Sequence, residues 1–81
     1  MHIQLLQGRF SKQDALDLIA QMIQTKISFH EKKIELSHNE EDIKMRESRI
    51  KQLQNSLADV RRQLNGSDEA ISLHAQIEIS Q

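Results

Sequence analysis

The sequence predicts an α+β fold in one domain: a short strand, a long antiparallel helical hairpin, and a C-terminal strand that pairs with the first. Three observations carry this reading. The stretch from Ser11 to Asn65 is rich in Leu, Ile, Gln, Glu, Lys and Arg and holds an unbroken seven-residue apolar repeat. The tail after Gly66 changes its period to two. Proline is absent, and the only two glycines, Gly8 and Gly66, fall where the period changes.

The first strand is expected over residues 2–7, where Ile3 and Leu5 alternate and Leu6 stands beside them. Helix one is expected over 12–37. It opens at Ser11 with Asp14 three residues on, a spacing at which side-chain oxygens satisfy amide donors that have no partner in the first turn. Helix two is expected over 40–65, closed by Asn65-Gly66, since glycine readily takes the left-handed conformation of a last turn. The closing strand spans about 70–80, where Ile71, Leu73, Ala75, Ile77 and Ile79 alternate with polar residues.

The seven-residue repeat runs Ala15, Met22, Phe29, Leu36, Ile43, Ile50, Leu57 and Leu64. Its companion seam (Leu18, Thr25, Lys32, Asn39, Arg46, Leu53, Val60) is apolar at both ends and polar in the middle. One continuous helix of about 80 Å would satisfy the repeat at 1.5 Å per residue, and so would a hairpin folded near Asn39. The hairpin is favoured because folding there pairs Leu36 with Ile43, Phe29 with Ile50, Met22 with Leu57 and Ala15 with Leu64. Ser37 or Asn39 can cap a second helix, and the acids Glu40, Glu41 and Asp42 suit its positive end. The turn is expected within residues 37–41.

Helix one carries a second stripe, Leu16, Ile19, Ile23, Ile27 and Ile34, roughly 130° around from the first at 100° per residue. One partner helix cannot cover both. The second stripe is therefore the expected interface of a homodimer, together with the strands. Helix two has one apolar stripe, and elsewhere shows the acid-to-base spacings Glu40 to Lys44, Asp42 to Arg46 and Glu47 to Lys51, which mark a solvated face.

At 81 residues an isolated monomer is marginal, which also points to a second chain. The chain lacks cysteine, carries a net charge of −1 and has no run of about 20 apolar residues. Disulfides are thereby excluded, bulk charge selects neither nucleic acid nor anionic lipid, and no membrane span is expected. Met1 is followed by His-Ile-Gln-Leu-Leu-Gln instead of a basic stretch and a long apolar run, so no secretory leader is expected and the cytoplasm is the expected compartment.

No catalytic, cofactor-binding or metal-binding residue is expected. His30 and His38 lie about 12 Å apart along a helix, too far to share an ion, and Glu35 with His38 forms one Glu-x-x-His pair where a di-metal bundle needs two. His2 and His74 fall on the polar faces of the expected strands, where they could face each other as a cross-strand contact rather than a site. Asp14 with Asp17 and Glu31 with Glu35 are local pairs on helix surfaces, no serine stands in a Gly-x-Ser-x-Gly turn, and two glycines 58 positions apart make no phosphate loop. An enzyme is not expected.

The alternative to a protein-interaction module is a nucleic-acid-associated accessory protein. It would use Lys44, Arg46, Arg49, Lys51, Arg61 and Arg62 of helix two. Against it, most of these bases follow an acid by one turn, and the chain has no Tyr or Trp to stack on bases. A non-enzymatic, self-associating interaction or scaffold module is the favoured expectation, recruiting its partner by helix packing or by strand addition.

Overall fold

The computed structural model describes residues 1–67 and 69–81. Four elements follow in the expected order: β1 (His2–Phe10), α1 (Lys12–Leu36), α2 (Glu40–Asn65) and β2 (Ile71–Glu78). At the start of α1 the Ser11 hydroxyl accepts from the Asp14 amide at 3.1 Å. The turn is the tripeptide Ser37-His38-Asn39, inside the expected window. The Ser37 amide donates to Ile34 O at 3.1 Å and closes α1. Asn39 is the cap of α2: its Oδ1 accepts from the amides of Glu41 and Asp42 at 2.9 and 3.1 Å. At the far end of α2 the left-handed closure expected of Gly66 does not form. Gly66 has φ −84° and ψ −1°, and the Ser67 amide donates to Leu64 O, so the last turn tightens without a positive φ.

β1 and β2 pair antiparallel as a two-stranded ribbon, from Phe10 opposite Ile71 to His2 opposite Glu78. Met1 and Ile79 extend the ladder by a further backbone pair. Gly8 does not end β1 at residue 7 as expected; it lies within the strand at φ +144°, a conformation open to glycine, and carries the pairing on to Phe10. The register shifts between Gln4 and Leu6, so Leu5 is the extra residue of a β-bulge. That bulge brings Ile3 and Leu6 to the same face, opposite Ile77 and Ala75. The register of the ladder also corrects the meeting of His2 with His74: His74 stands opposite Gln7 and His2 opposite Glu78.

In line, about 38 Å of α1 and about 30 Å of β1 would span close to 70 Å. The molecule extends 46 × 33 × 13 Å, so the ribbon turns aside from the helix axis at the open end of the hairpin. Its radius of gyration is 15.3 Å, against about 12 Å for a compact chain of this length. A thin molecule has little interior. Among the described residues only Ala15, Ile27 and Leu64 are buried hydrophobics.

Burial is shared between the two stripes on α1, and Ala15 of the first is fully buried. Ile27 of the second stripe is only 6% exposed, and Leu16, Ile19, Ile23 and Ile34 are half-buried. Ile19 lines a mainly apolar cleft of about 210 Å³ with Val60, Gln63 and Leu64 of α2 and Ile71, Ser72 and Leu73 of β2. Of the pairs expected for the first stripe, Ala15 and Leu64 at the open end are both buried, whereas Met22, Phe29 and Leu36 toward the turn are 39, 52 and 69% exposed. The physical reason is helical period. Leu16 to Ile34 is 18 residues, five turns at 3.6 per turn, so this stripe stays on one side of a straight helix. A strict seven-residue spacing drifts about 20° per repeat unless the helices supercoil.

Candidate functional site

Two surfaces stand out. The first is apolar and exposed. Met22, Phe29 and Leu36 run along α1 on the side away from Ile27, and Met1, Leu5, Ile77 and Ile79 gather at the end of the ribbon remote from the helices. With Met45 these make eight large exposed hydrophobic residues against three buried ones. That ratio is the inverse of a well-covered core.

The second surface is a polar cleft of about 150 Å³ between the helices, lined by Lys26 and His30 of α1 and by Arg49, Gln52, Leu53 and Ser56 of α2. Arg46 adjoins it. The Arg46 Nε donates to Asp42 Oδ2 at 3.2 Å, its Nη1 lies 3.1 Å from His30 Nδ1, and its guanidinium lies over the Phe29 ring at 5.8 Å. A guanidinium only donates, so Nδ1 is the acceptor and the His30 ring is neutral with its proton on Nε2. Burial lowers the His30 pKa below its ordinary value, and the charges of Arg46, Lys26 and Arg49 press it in the same direction.

The basic residues expected on α2 do not form one patch. Arg49 lines the cleft, Arg46 reaches its edge through His30, Arg62 pairs with Asp59 one turn earlier, and Lys44, Lys51 and Arg61 are exposed. Of the three acid-to-base pairs expected along α2, Asp42–Arg46 forms an ion pair, while Glu40–Lys44 and Glu47–Lys51 do not close among the described residues. Sequence reading missed the contribution of Lys26 and His30 because the cleft is made by two helices. The available signal was local: neither has an acidic residue three or four positions away on its own helix.

His30 faces α2, whereas His38 stands exposed in the turn, so these two do not converge. Among the described residues no three His, Asp or Glu side chains gather as a metal-binding group, and no helix is long and apolar enough to cross a membrane. Compared with family models, curated proteins and solved structures, the chain shows no match.

Proposed function

We propose that the chain is a non-enzymatic interaction or scaffold module that works as a homodimer. The observation carrying this is surface area. The chain exposes 6507 Å², where a folded monomer of 9.4 kDa exposes about 5,000 Å². A standard interface covers about 800 Å² on each partner, so the excess is enough to supply one.

The mate is proposed to lie on Met22, Phe29 and Leu36. These three are spaced by seven residues, and so are symmetric about Phe29. In an antiparallel two-fold contact Phe29 meets its own copy while Met22 meets Leu36 of the mate, the reciprocal pairing a two-fold axis requires. Two hairpins joined this way form a four-helix layer. Leu16, Ile19, Ile23 and Ile34 are half-buried on the side of Ile27, roughly 130° around from Met22, Phe29 and Leu36, and lie outside this contact. The cytoplasm is part of the proposal, because a chain with no cysteine draws nothing from an oxidising compartment.

The second reading is a nucleic-acid accessory role for Lys44, Arg46, Arg49, Lys51, Arg61 and Arg62, favoured by the convergence of Arg46 and Arg49 and weakened by the carboxylates on Arg46 and Arg62. Sedimentation velocity of two variants separates the interfaces. Phe29→Glu is expected to halve the dimer mass with helical circular dichroism retained, and Lys44→Glu to leave the mass unchanged. The reverse pattern would move the interface to α2.

A further inference from the structure

The cleft between the helices has an uneven charge inventory. Lys26, His30 and Arg49 line it, and among the described residues no Asp or Glu does. The imbalance is local, since the whole chain carries a net charge of only −1. It is also built into each helix. The residues three and four positions either side of Lys26 are Met22, Ile23, Phe29 and His30, and those around Arg49 are Met45, Arg46, Gln52 and Leu53. By contrast Arg46 and Arg62 each hold a carboxylate one turn back. The Asp42 carboxylate is engaged by Arg46, which adjoins the cleft.

Donors of several kinds converge on this space. Lys26 brings an ammonium, Arg49 a planar fork, Gln52 an amide and Ser56 a hydroxyl, while Leu53 supplies an apolar wall that raises the value of charge-assisted hydrogen bonds. Such a set suits a compact anion with several acceptor oxygens. The volume of about 150 Å³ equals roughly five waters at about 30 Å³ each, well under the roughly 300 Å³ at which drug-sized pockets begin.

We propose that this cleft is an anion-binding site for a single phosphate group, carried by inorganic phosphate or by a small phosphomonoester, with Lys26 and Arg49 as its principal ligands. All the residues lining the site belong to one protomer. Binding has an internal reporter. Burial first and then the charges of Arg46, Lys26 and Arg49 lower the His30 pKa; an anion beside Lys26 and Arg49 offsets the charge contribution, so the His30 pKa rises on binding.

The test is an NMR titration of the full chain with inorganic phosphate, sodium chloride balancing ionic strength. The expected result is a saturable shift of the His30 ring signals and a raised His30 pKa, with the affinity falling roughly tenfold or more in Lys26→Gln/Arg49→Gln, as loss of charged hydrogen bonds predicts. Both side chains are exposed, and the amide spectrum shows whether that variant keeps the fold. Glycerol phosphate in a parallel titration distinguishes the sources: matching affinity means that the phosphate group is read alone, and tighter binding means that the ester is read too. Shifts that are linear in phosphate, or equal in the double variant, would overturn the proposal. Binding confined to a DNA duplex, with a steep salt slope and unaffected by the double variant, would overturn it in favour of the exposed bases of α2.

Discussion

The Nη1 of Arg46 on α2 lies 3.1 Å from Nδ1 of His30 on α1, a cross-hairpin hydrogen bond between residues 16 apart in the chain. It holds only while Nδ1 carries no proton, because the guanidinium can only donate. Asp42 fixes the other side of the same guanidinium at 3.2 Å. The hairpin is thus braced by a contact that acid removes.

Stability is accordingly expected to fall on acidification through the histidine range. Unfolded, His30 takes up its proton near pH 6.5; folded, it does so at lower pH, through burial and the charges of Arg46, Lys26 and Arg49. Between those values the unfolded chain binds more protons, so stability rises with pH. The His30 contribution is complete above about 6.5 and is lost as pH falls toward the folded value. Thermal melts between pH 8 and 5 at fixed protein concentration check this: His30→Gln should flatten the pH slope, and an unchanged slope would remove His30 from the account.

Gly8 at φ +144° carries β1 through a conformation that side chains rarely adopt. No atom lies within 4 Å of a Cβ placed there, so the cost of Gly8→Ala is backbone strain and not a clash. The expected loss is about 1–3 kcal/mol, measured by urea denaturation. A neutral or stabilising result would mean that the strand relaxes away from this φ.

Asn39 accepts from two amides at the start of α2, and three acids follow it in the first turn. Asn39→Ala is expected to cost about 1 kcal/mol and Asn39→Gly only a few tenths, both by urea denaturation. Equal losses would assign the effect to backbone freedom at the turn instead of to the cap.

The element order, the hairpin turn and the antiparallel ribbon were legible because each rests on a local pattern: alternation after Gly66, the Ser11 and Asn39 caps, and the symmetric apolar repeat. Which stripe of α1 faces α2 was not. Phe29 and Ile27 are equally apolar, and the choice depends on whether the helices are straight or supercoiled, a property of the pair. The strand register escaped for a similar reason. The ladder runs from Phe10 opposite Ile71, and a bulge at Leu5 shifts the partners beyond it by one residue, so His2 meets Glu78 and His74 meets Gln7. The basic cleft is a sum over two helices, and reading α2 alone captured only Arg46 and Arg49.

Sedimentation equilibrium of the unmodified protein tests the central claim most directly, since mass does not depend on where the interface lies. A chain of 9.4 kDa that leaves Met22, Phe29 and Leu36 exposed is expected to sediment with twice its chain mass at micromolar concentration, approaching the monomer mass only on dilution. A single species of 9.4 kDa throughout the micromolar range would contradict the account.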